Sequence, residues 1–141
     1  MNSHTNLPQS RILAEFLPLE SADMCWCNYS IKGVNYTDGF SANLYTVKEM
    51  KDAFDTALNG WDKYWELIPC WSLAALLEHL RRIDMFPDII DSGDCVLMDI
   101  SFADDEDGKV LHPIHCLRVE RKTILDACVG MIVKLHEQKL L

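Results

Sequence analysis

Glycine is scarce in this chain, with six in 141 residues and no two of them grouped. A phosphate cradle needs clustered glycines so that backbone N–H groups can close on the anion. Neither a P-loop nor a dinucleotide-binding turn is therefore encoded. Gly-x-Ser-x-Gly and His-Glu-x-x-His are also missing, so two common hydrolase arrangements are absent. No uncharged apolar run approaches the roughly 20 residues that span a bilayer. The first residues, Met1-Asn2-Ser3-His4-Thr5-Asn6-Leu7-Pro8, lack the basic start and apolar continuation of a secretory signal. A cytoplasmic location is expected. Positive charge is missing most sharply: between Asp84 and Asp107 there is no Lys or Arg.

What fills that span is carboxylate. Asp84, Asp88, Asp91, Asp94, Asp99, Asp104, Asp105, Glu106 and Asp107 account for the net charge of −9, since acidic and basic residues cancel elsewhere. Such a field repels nucleic-acid phosphates and favours a basic protein partner, although charge runs are most often solubilising surface. Hydrophobic residues make up 49% of the chain, enough for one core spanning residues 1–141 without disulfide or metal staples. Six cysteines, at 25, 27, 70, 95, 116 and 128, mostly fall inside apolar segments. In a reducing cytoplasm they read as small buried hydrophobes.

Hydrophobic spacing predicts the elements. Ile12, Leu13, Phe16 and Leu17 mark a first helix, with Asn6 as its cap and Pro8 in its first turn. Residues 24–31 have strand composition, and residues 34–45 hold a weaker strand or hairpin arm. Thr46-Val47-Lys48-Glu49 is a capping box before a helix that stops at Asn59-Gly60. Residues 62–68 are extended up to Pro69. Ser72 caps a helix whose Leu73, Leu76, Leu77, Leu80 and Ile83 share one face. Residues 95–121 form a long hairpin turning at residues 104–109, and a last helix opens at Thr123. This order predicts an α+β fold, an antiparallel sheet against three to four helices.

The candidate sites each have a plain structural reading. Cys25, Cys27, His112, His115 and Cys116 are the residues best suited to zinc, which binds thiolate and imidazole in a tetrahedron. On a strand, however, His112 and Cys116 face away from His115, and joining the pairs requires adjacent strands. Packed thiols and satisfied histidines are the simpler reading, so neither metal nor cofactor is expected. The acidic run Asp104-Asp105-Glu106-Asp107 precedes Gly108, but aligning that glycine with a calcium loop puts Ala103 and Ile114 at ligand positions. It reads as a turn with interaction potential. Trp61, Trp65 and Trp71 lie within eleven residues. Such aromatics anchor an interface or pocket, or roof a core.

Two stretches carry a resemblance, Ser21-Ala22-Asp23-Met24 and Ile68-Pro69-Cys70-Trp71-Ser72-Leu73-Ala74-Ala75-Leu76-Leu77. Their pattern, Pro-x-Trp-Ser-Leu-x-x-Leu-Leu ahead of a hairpin and a C-terminal helix opening near Asp-Ala, resembles small proteins of gut-bacterial genomes and their prophages and mobile elements. Asp126-Ala127-Cys128 fits the last element, so the likeness covers about residues 21–141, with 33–60 longer than the pattern. It implies a fold and a mobile-element setting, and no activity or catalytic residue. The expected function is a non-enzymatic accessory or interaction domain. The alternative is a small-molecule binder or enzyme with a pocket near Trp61 to Trp71.

Overall fold

The computed structural model describes residues 3–29, 40–44, 52, 65–103 and 114–141. The fold is α+β, with its strands in two antiparallel three-stranded sheets. Strands expected in one sheet are thus shared between two. The chain divides into two compact units, Met1–Ala75 and Leu76–Leu141, each holding one sheet.

In the first unit, helix α1 (Leu7–Ala14) starts with a complete capping box. Asn6 accepts the Gln9 N–H, and the Gln9 side chain accepts the Asn6 N–H. Two otherwise orphaned donors are satisfied in this way. The buried face comprises Ser10, Leu13 and Leu17, while Ile12 is 47% exposed. Helical geometry puts Ile12 roughly 120° from the centre of that face, so polar Ser10 occupies the place expected for an apolar residue.

Strand β1 (Met24–Tyr29) is the middle strand of its sheet, antiparallel to β2 (Phe40–Leu44) on one edge and β3 (Trp65–Cys70) on the other. Strand β3 continues through Pro69, where the sequence suggested an end. Among the described residues it lies at the sheet edge, where a residue without an N–H is tolerated. The helix expected at residues 47–58 falls outside the described residues, except for Asp52, which is helical.

The second unit takes up most of α2 (Leu73–Arg82). The Ser72 hydroxyl accepts the Ala75 N–H at 3.1 Å, as a helix cap should. Leu76 and Leu80 are fully buried, whereas Leu73, Leu77 and Ile83 are half-buried. Just past the helix, Asp84 is held at φ 58°. There the Met85 N–H donates to Leu80 O and the Asp84 N–H to Arg81 O, the paired bonds of a Schellman turn.

Three strands follow, β4 (Asp88–Asp91), β5 (Val96–Ala103) and β6 (Ile114–Arg121), ordered β4-β5-β6. The expected hairpin is β5-β6, in register from Val96↔Arg121 to Ala103↔Ile114. Its turn, with Asp104, Asp105, Glu106 and Asp107, lies outside the described residues. Helix α3 (Ile124–Glu137), capped by the Thr123 hydroxyl, packs on β5 and β6. Val96, Met98, Ile100, Leu117 and Val119 are buried on the sheet, and Leu125, Cys128, Ile132 and Leu135 on the helix. The sheet is therefore one-sided: Asp99, Ser101, Cys116, Arg118 and Glu120 alternate with the core residues and lie on its other face.

Candidate interaction surface

A connected set of polar side chains lies in the first unit, and its geometry is that of a fastening. Thr5 and Ser10 are both fully buried. The Trp26 indole N–H donates to Ser10 Oγ at 3.1 Å, and Ser10 and Thr5 share a hydroxyl bond of 2.7 Å. The Thr5 hydroxyl donates to Cys70 Sγ, and the Cys70 thiol donates to Thr5 O. Thr5 Oγ1 also accepts the Trp71 N–H at 3.1 Å. One placement of the hydroxyl and thiol hydrogens satisfies every member of this chain, which a buried polar network requires.

Cys70 is not activated by these neighbours. Burial pushes its thiol up from the ordinary range, against the lowering effect of the Thr5 and Ser10 hydrogen bonds, and Asp23 adds to the rise. A protonated thiol is a poor nucleophile. The two stretches that carry the resemblance are bound to each other here. The Trp71 indole N–H donates to Ser21 Oγ at 2.9 Å, and Asp23 accepts both the N–H and the hydroxyl of Ser72. Their residues position helix α2 and strand β1. Trp71 is fully buried; Trp65 begins β3 opposite Tyr29, and Trp61 falls outside the described residues.

The zinc-capable residues are placed on different sheets. Cys25 and Cys27 lie on β1, both of whose edges are occupied, by β2 and β3. His115 and Cys116 lie on β6, opposite Phe102 and Ser101 of β5. Strand pairing therefore does not bring the two pairs together. Cys25 is buried and Cys116 exposed; His112 falls outside the described residues. Among the described residues, no group of three His, Cys, Asp or Glu is placed to hold a metal ion.

The acidic span forms a surface around β4. Asp84, Asp88, Asp91 and Asp94 are all exposed. Between them Phe86 is 67% exposed and Ile90 54%, large apolar side chains left in water. Asp99 is a different kind of carboxylate. The Arg118 guanidinium grips it with bonds of 2.7 and 2.8 Å, which hold its carboxyl below the ordinary range.

Strand β4 itself was missed in the sequence. Its four residues, Asp-Ile-Ile-Asp, are too few to show alternation. The usable signal was Gly93-Asp94, a dipeptide suited to a two-residue hairpin turn. Gly93 adopts φ 88°, and its N–H donates to Asp91 Oδ1 at 2.9 Å. The Ser92 N–H meets Cys95 O at 3.0 Å and closes the turn.

No family model matches this chain, and no curated protein and no solved structure is similar to it.

Proposed function

We propose that this chain is a non-enzymatic accessory or protein-interaction domain whose acidic surface around β4 meets a basic partner protein. The observation that carries this reading is the exposure of Phe86 and Ile90 among four exposed aspartates, in a span free of Lys and Arg. Apolar side chains in water gain by being covered, and the carboxylates select what covers them. Their field reaches about 8 Å at physiological salt. It draws in cationic protein and repels nucleic-acid phosphate. A cytoplasmic setting suits the free thiols, and the resemblance to mobile-element proteins suits a modulator of a host-encoded or element-encoded factor.

Affinity purification tests this reading in two arms. In one arm Asp84, Asp88, Asp91 and Asp94 are changed to Asn. In the other, Asp104, Asp105 and Asp107 are changed to Asn and Glu106 to Gln. The first arm is expected to lose a basic partner whose association slows as salt rises, and the unmodified protein is expected to leave duplex DNA unshifted. A partner set unchanged in both arms, or DNA binding by the unmodified protein, would contradict the proposal.

A further inference from the structure

Resting on that reading of the acidic surface, we propose that β4 is a docking edge. An extended basic segment of the partner protein adds there as a fourth strand of the β4-β5-β6 sheet, with the side-chain pattern basic–apolar–apolar–basic.

The backbone phase of β4 follows from one bond. In an antiparallel pair, directly opposed residues alternate between hydrogen-bonded and non-bonded. Ser92 and Cys95 are a bonded pair, joined by the Ser92 N–H. The register then runs Asp91↔Val96, Ile90↔Leu97, Ile89↔Met98, Asp88↔Asp99. Ile90 and Asp88 therefore bond to β5, while Ile89 and Asp91 turn their N–H and C=O groups away from it. Pro87, the next residue in that outward phase, has no N–H and ends the row. All four β4 residues are exposed, Ile89 at 37% included, and among the described residues no strand pairs with this edge. Open strand edges recruit extended chains through their main-chain groups, and pockets or charges beside them set the choice of chain.

The flanking charges identify the occupant. A second copy of this chain would bring an equally acidic strand alongside this one, and like charge is one way natural proteins guard an edge against self-pairing. A basic strand meets no such repulsion. Bonded antiparallel to Ile89 and Asp91, it places one side chain opposite each β4 residue in turn. A base opposes Asp91, apolar residues oppose Ile90 and Ile89, and a base opposes Asp88. Asp99 lies beside Asp88 across the ladder but is already held by Arg118. That leaves Asp88 to the incoming cation.

The probe is a capped synthetic peptide, Thr-Lys-Val-Val-Lys-Thr, titrated into the isotope-labelled whole protein and followed by amide chemical shifts. Shifts are expected to centre on residues 88–91. The peptide's first Lys and second Val bond to the edge, whereas its first Val turns its amide outward. N-methylation of the second Val is expected to weaken binding at least about tenfold, the loss of one to two hydrogen bonds. N-methylation of the first Val is expected to change it less than about twofold. A Thr-Glu-Val-Val-Glu-Thr peptide is expected not to bind, and Asp88→Asn with Asp91→Asn to cost about tenfold. Equal binding of the two N-methylated peptides would overturn strand addition while leaving the acidic surface as an interaction site. No binding by the lysine peptide, or equal binding by the glutamate peptide, would overturn both.

Discussion

The two units are held by different chemistry. The first buries hydroxyls, a thiol and indole N–H groups in a connected chain that ties residues 3–6 to residues 70–73. The second buries one face of a three-stranded sheet beneath an apolar helix, and its polar bonds lie on the outside. Apolar burial is non-directional and scales with area, so the second unit depends on shape and volume. A buried network depends on completeness, because one missing member leaves its neighbours unsatisfied.

Breaking the apolar side is expected to give the largest effect. Ile132 is fully buried on α3, so Ile132→Ala is expected to cost about 2–5 kcal/mol in chemical denaturation. Leu76→Ala, at the buried centre of α2, belongs to the same class. A loss below about 1 kcal/mol at either site would mean the side chain is not packed as described.

Breaking the network comes next. Thr5→Val keeps the shape but takes from the Trp71 N–H its acceptor and from Ser10 and Cys70 one bond each, at an expected cost of about 1–3 kcal/mol. Ser10→Ala in the same background is expected to add much less than it does alone, since members of one network are not additive. Full additivity would show that the two hydroxyls act separately.

Thiol titration sharpens the contrast through pH. Burial alone pushes the Cys128 thiol up to about 12. Its folded value lies above the ordinary 9.0, so its contribution to stability is complete below pH 9 and is lost as pH rises toward about 12. Among the described thiols, exposed Cys116 is expected to react first with a disulfide reagent, and buried Cys25, Cys70 and Cys128 only on unfolding. A fast reaction at Cys70 would contradict the closed network.

The smallest effect is a gain. Asp84 closes α2 in the left-handed region at φ 58°, a conformation that glycine adopts without steric cost. Asp84→Gly is expected to stabilise by roughly 0.5–1 kcal/mol, read as a shift in the denaturation midpoint.

The same contrast explains what the sequence revealed. Apolar stripes and caps have fixed spacing, so α2, α3 and the β5-β6 hairpin were readable from Leu76 and Leu80, Thr123, and the alternation from Val96 to Phe102. The network had no such spacing. Thr5, Ser10, Trp26 and Cys70 meet only after β1 and β3 have paired, and each alone is an ordinary residue. The acidic span could be counted from the sequence, but its division could not. Asp99 is taken up by an arginine 19 residues away, whereas Asp88 and Asp91 border an edge strand too short to announce itself.

The central claim is that the Ile89 and Asp91 amides face outward from β4 and await a basic strand. Amide hydrogen exchange, measured residue by residue on the free protein and again with the Thr-Lys-Val-Val-Lys-Thr peptide, tests it directly. Ile90 is expected to exchange slowly in both states. Ile89 and Asp91 are expected to exchange fast in the free protein and to slow when the peptide is bound. Protection of Ile89 and Asp91 in the free protein, or fast exchange that persists at saturating peptide, would contradict it.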